Sequence, residues 1–171
     1  MLSDETKLHL VKVCAILNSH EVDYIVVGGA AVSHYGYNRP SGIGQYSVEP
    51  KPDLDFWYNP SIDNFEKIIV ALDDLAVDTA DLKSLVFNKK HTFLKIPRSN
   101  FHMDFLPIME GLDSFRECRG RATKVIVDDV PILIVSYDDL ITNKRAVNRK
   151  IDQSDITELG KIRRKKRGKG I

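Results

Sequence analysis

Three aspartates, Asp53 and Asp55 in PDLDFWY and Asp104 in FHMDFLP, have the type and spacing for cation chemistry. Along a strand, side chains at i and i+2 leave the same face about 6.5 to 7 Å apart. Asp53 and Asp55 can therefore converge on one ion while Leu54 and Phe56 turn into a core. Asp104 is suited to join them from a second strand, because Phe101, Met103 and Phe105 form the apolar side of its segment and leave His102 and Asp104 on the other. Hard carboxylate oxygens favour magnesium or manganese over zinc. Upstream, Gly28 and Gly29 separate the apolar run Tyr24 to Val27 from the helical pattern AAVSHYGY. Glycine lets backbone approach a ligand closely, and the first N–H groups of a helix suit phosphate. The acids and the turn together read as a site for metal ions and a nucleoside triphosphate.

Neighbouring residues carry two readings each. His102 either touches an acceptor or metal or is a hydrogen-bonded structural histidine. Trp57, on the face of Asp53 and Asp55, either stacks on a base or packs in the sheet. Lys144 in ITNKRAVNRK either faces phosphate, with Arg145 or Arg149 on another face, or lies with them on a solvated helix face, and Arg39 either reaches a phosphate from the loop after the glycine helix or does not.

The elements that must position these groups follow from periodicity. Leu8, Leu10, Val11, Cys14, Ala15 and Leu17 predict an amphipathic helix over about 4–19, opened by Ser3 or Asp4. Residues 40–52, rich in Gly, Pro and Ser, predict a loop leading to the Asp53 strand. NPSIDNFEKIIVALDDL predicts a second helix capped by Asn59 or Ser61, and HTFLKIPR with FHMDFLP predicts a hairpin turning at Ser99 and Asn100. A short helix around 112–117, the strands ATKVIV and VPILIV turning at Asp128 and Asp129, a helix from Ser136 to about Val147 and a last one from Asp152 or Ser154 complete the chain. The expected class is α/β of the α+β kind: a small mixed sheet with helices packed against it and a C-terminal helical segment.

At 171 residues the chain suits one domain able to bury a core without staples. No apolar run approaches the roughly 20 residues of a membrane span, and MLSDETKLHL does not resemble a signal peptide, so a cytoplasmic protein with no membrane partner is expected. The cysteines, Cys14 and Cys118, form neither metal spacing nor a disulfide framework. From Lys161 onward KIRRKKRGKGI holds seven Lys or Arg and no acid, leaving 18 basic against 24 acidic residues, net −6, in the rest. The expected division is a domain over 1–160 and a basic tail over 161–171, the tail being a frayed or disordered end and nucleic acid its natural partner.

In the order VVGGAAVSHYGYNRP, DLDFWYNPSIDNFEKIIVAL, FHMDFLP and VPILIVSYDDLITNKRAVNRKIDQSDITEL, the chain resembles the nucleotidyltransferase fold superfamily. It is similar in particular to small bacterial abortive-infection type nucleotidyltransferase toxins and minimal nucleotidyltransferases. The resemblance covers nearly all of the chain to Leu159. It implies that Asp53, Asp55 and Asp104 are the catalytic and metal residues, binding two Mg2+ or Mn2+ ions, and that Gly28, Gly29 and Ser33, with Arg39 and Lys144, hold a nucleoside triphosphate. The implied reaction moves a nucleoside monophosphate to a hydroxyl of RNA, tRNA especially, or of a protein, with an antitoxin-like partner. A module that binds nucleotide or a partner without turnover would use the same residues, and nucleic-acid binding through the basic tail is a third class. Two departures stand out: 24 positions separate Gly29 from Asp53, a longer interval than usual, and Ala30 follows Gly29 where serine is common.

Overall fold

The computed structural model describes residues 2–38 and 51–168. Arg39 and most of the expected 40–52 loop lie outside the described residues. The elements are helix α1 (Asp4–Ser19), strand β1 (Tyr24–Val26), α2 (Gly28–His34), β2 (Asp53–Tyr58), α3 (Ile62–Asp74), α4 (Ala80–Ser84), β3 (Leu94–Pro97), β4 (His102–Leu106), α5 (Phe115–Gly120), β5 (Thr123–Val127), β6 (Val130–Ile134), α6 (Tyr137–Val147) and α7 (Lys150–Gly168). The six strands form one mixed sheet in the order β3-β4-β2-β1-β6-β5. The fold is α+β, as expected.

Helix starts follow side-chain capping, in which a hydroxyl accepts one of the N–H groups left over in the first turn. Ser3 accepts from the Thr6 N–H, Ser61 from Asn64 and Ser136 from Asp139. At α5 the expected start near Leu112 is corrected to Phe115. Ser114 accepts from the Glu117 N–H while the Glu117 carboxylate returns to the Ser114 N–H, so the capping box fixes the boundary there. The expected start of the last helix at Asp152 or Ser154 is likewise corrected to Lys150, because Asp152 accepts the Arg149 N–H at 3.1 Å and closes the first turn from inside. The short α4 has no counterpart in the sequence reading.

Both hairpins form. Arg98 and Phe101 flank the β3–β4 turn, with Pro97 opposite His102 and Lys95 opposite Asp104. At the β5–β6 turn Asp128 and Asp129 adopt φ of +49° and +65°, the left-handed pair that a two-residue hairpin loop requires.

Alternation along β2 divides the sheet. Leu54, Phe56 and Tyr58 are fully buried on one face, where Phe56 stacks on Phe105 at 5.2 Å and meets Tyr24 edge-on at 5.7 Å. Tyr24 donates to the Asn18 side chain at 3.0 Å, which ties α1 to this face. Asp53, Asp55 and Trp57 lie on the other, where Trp57 is buried edge-on against Phe115 of α5 at 5.3 Å. Its role is packing. Cys14 and Cys118 are free and buried, and burial pushes their thiols up to about 12 and about 11, away from reactivity.

Helix α7 spans residue 160, where the basic tail was expected to begin, and runs on through Arg167 as far as Gly168. Among the described residues no helix is long and apolar enough to cross a membrane.

Candidate functional site

The site is assembled by register. Strands β2 and β4 run parallel, with Asp55 opposite Asp104 and Asp53 opposite His102. Since β3 pairs with β4, Lys95 extends the row, which reads Lys95, Asp104, Asp55 across three strands. At its far end the Asp55 carbonyl accepts the Val27 N–H at 3.0 Å, so β1 delivers Gly28 directly beside Asp55.

That closeness explains the residue type at position 28. Gly28 has φ of +57°, and a Cβ built there would fall 1.9 Å from the Asp55 Oδ2. A side chain is excluded twice, by backbone conformation and by the carboxylate. Gly29 follows in the first turn of α2. Ser33, expected to hold phosphate, is buried and donates its hydroxyl to the Asn38 side-chain oxygen at 2.9 Å.

The three carboxylates have different surroundings. Asp53 is half exposed, with His102 Nδ1 at 3.2 Å from its Oδ1, close enough to pair when the ring is protonated although the alignment is not that of a hydrogen bond. Asp104 is the most enclosed of the pair Lys95–Asp104: its side chain is 14% exposed, its Oδ1 is buried without a hydrogen-bond partner, and Lys95 Nζ lies 3.6 Å from Oδ2. Burial pushes the Asp104 carboxyl above its ordinary value; Lys95 opposes this and the charge of Asp53 adds to it. Asp55 lies between Asp104 and Gly28, and its charge reaches Arg149 at the start of α7.

Lys144, expected to face phosphate, has its ammonium in the α6–α7 joint, 2.6 Å from Asp155 and 3.1 Å from Asp152, all three buried. A lysine between two buried carboxylates is held by charge compensation, because either acid left alone there would be costly. Arg149, with two-thirds of its side chain exposed, grips Asp152 through Nε at 2.8 Å and Nη2 at 3.2 Å. Asp152 is thereby kept below the ordinary carboxylate range: burial alone would raise it, and the bonds from Arg149 and Lys144 outweigh that. Sequence reading did not single out Lys95. Its signal was present, since a turn at Ser99 and Asn100 counts back to place Lys95 opposite Asp104.

The residues fit a divalent cation in type. Carboxylates share one face in adjacent register, a buried Asp104 oxygen lacks a partner, and the backbone at Gly28 closes on Asp55. Among the described residues no group of three His, Cys, Asp or Glu side chains is already drawn together around one point. Comparison with protein-family models finds no match, and comparison with curated proteins finds none.

Two outcomes test this geometry. Gly28→Ala should cost about 2 kcal/mol or more in urea unfolding, from the left-handed backbone and the overlap with Asp55 together; a neutral substitution would contradict the packing. For Asp104 the folded-state pKa lies above the unfolded one, so the charged carboxylate costs stability at neutral pH, and the cost disappears as pH falls through the folded value. Asp104→Asn should therefore melt above the wild type at neutral pH without divalent cations, with the gap closing toward about pH 4. A variant that melts lower throughout would place the Lys95 pairing above the burial cost.

Proposed function

We infer that the chain is a divalent-cation-dependent nucleotidyltransferase, moving a nucleoside monophosphate from a nucleoside triphosphate to a hydroxyl of RNA or protein. The observation that carries this reading is Asp55 beside Asp104 in one register row, with Asp53 two residues away and the Gly28 backbone against Asp55. The likeness of the ordered motifs to the nucleotidyltransferase fold superfamily supports the same reading.

Asp53 and Asp55 would hold magnesium or manganese, with Asp104 completing the set. Bound there, the cations would offset the charge of the triphosphate and of the departing pyrophosphate. The chain's own groups do the rest. The backbone at Gly28 and Gly29 admits the phosphates close to Asp55, with no side chain in the way. Asp104 accepts the proton of the acceptor hydroxyl as its oxygen bonds to the α-phosphorus and the bond to pyrophosphate breaks. Its raised proton affinity suits that role. Lys95 keeps Asp104 from being an isolated buried charge before substrate arrives. A cytoplasmic setting goes with this reading, since nucleoside triphosphates are supplied there.

The test is transfer of label. Incubated with each α-labelled ribonucleoside triphosphate, Mg2+ and a cell extract, the wild type should move label into RNA or protein. Asp53→Asn, Asp55→Asn and Asp104→Asn should each lower transfer by about 100-fold or more while remaining folded. Stabilisation by Mg2+ and nucleotide without transfer would make the protein a binding module, and neither effect with any nucleotide would overturn the reading.

A further inference from the structure

The basic end of the chain is a docked helix with its cations displayed. Buried or half-buried residues recur along α7 at Asp152, Asp155, Leu159 and Ile162, a stripe at helical spacing. Ile162 lies 3.5 Å from the position a Cβ would take at Gly36, just past α2, and Lys166 is near enough to His34 to disfavour its protonation after burial has done so first. Arg163 is pinned on the flank, 2.7 Å from Asp138 and 4.2 Å above the Tyr137 ring. Arg149, just before α7, feels the Asp55 charge, and the last turns of α7 are held at His34, the end of α2, and at Gly36 just beyond it.

Arg164, Lys165, Lys166 and Arg167 are exposed and have no acidic partner among the described residues. They carry four positive charges on about one turn of helix, and residues 1–160 of the chain are net −6. The arrangement attracts a polyanion to this end and repels it elsewhere. An anionic membrane is a poorer match, because Ile162, the apolar residue of these turns, is turned against Gly36, and among the described residues of these turns no apolar face is offered to lipid.

We propose that the end of α7 is a docking site for the phosphodiester backbone of RNA, the acceptor substrate. Arg164 lies fifteen residues beyond Arg149, about 22 Å along the helix axis at about 1.5 Å per residue. A strand with about 3.4 Å between charges covers that span in about seven nucleotides. An RNA held on the cations thus has the length to present a terminal hydroxyl at the aspartates. The docking rests on the charges alone, whereas the role as acceptor rests on the nucleotidyl-transfer reading above.

Fluorescence anisotropy of a labelled single-stranded RNA separates the two. With four phosphates neutralised, binding should weaken roughly 50-fold between 50 and 200 mM salt. The quadruple variant Arg164→Gln, Lys165→Gln, Lys166→Gln, Arg167→Gln should lose at least about tenfold in affinity at low salt and most of that salt dependence. Its melting temperature should be unchanged, because glutamine keeps the helix. RNA binding that survives the quadruple change, or equal affinity for polyglutamate or anionic vesicles, would overturn the proposal. RNA binding through these cations with no label transfer would leave the docking site standing and remove the transfer reading. Label transfer to RNA that is unaffected by the quadruple variant would do the reverse.

Discussion

Three carboxylates share one face of two neighbouring strands, and the site is organised around holding that negative charge on a partly buried surface. Burial first, and then the charge of Asp53, raise the proton affinity of Asp104. The parallel pairing of β2 with β4 puts Asp55 opposite Asp104, and the core on the reverse face locks that register. Phe56 stacks on Phe105 one position along, so a slip of one strand by one residue would send its ring to the polar side and part the pair. The apolar face thus enforces the arrangement of the charged one. The compensations are visible: Lys95 beside Asp104, a raised Asp104 pKa, His102 near Asp53, and Arg149 within reach of the Asp55 charge.

The supporting elements serve this row from both ends. Strand β1 ends on the Asp55 carbonyl and turns at a residue that has no room for a Cβ, which sets backbone rather than a side chain against the carboxylate. At the opposite end of β1, Asn64 from α3 bonds both the N–H and the carbonyl of Asp23, and the Asp23 carboxylate meets Arg119 of α5. The strand that carries Gly28 is thereby fixed at its start as well as its end. The α6–α7 joint is a second rigid piece, closed by Lys144 between Asp152 and Asp155, and it fixes where Arg149 stands.

Local signals in the sequence carried well. Ser3, Ser61 and Ser136 marked helix starts because a capping hydroxyl acts within three residues, and the face shared by Asp53 and Asp55 followed from strand alternation alone. Asp104 could be assigned to a strand, but its place beside Asp55 depends on pairing between segments about fifty residues apart, which no local pattern encodes. Lys144 shows the same limit from the other side. Its neighbours in sequence read as an exposed helix, and only the docking of α7 buries it between two acids. The end of α7 reads from composition as a loose tail; contacts at Gly36, His34 and Tyr137, remote in sequence, hold it as helix.

The central claim is that the negative charge gathered on this face serves to hold a divalent cation arriving with nucleotide. Titration with Mn2+ in the presence of a non-hydrolysable nucleoside triphosphate, with free Mn2+ followed by electron paramagnetic resonance, measures this directly. The account predicts that wild type depletes the free-ion signal when nucleotide is present and that Asp55→Asn, still folded, leaves the signal as nucleotide alone does. Equal depletion by the Asp55→Asn variant, or none by the wild type, would contradict it.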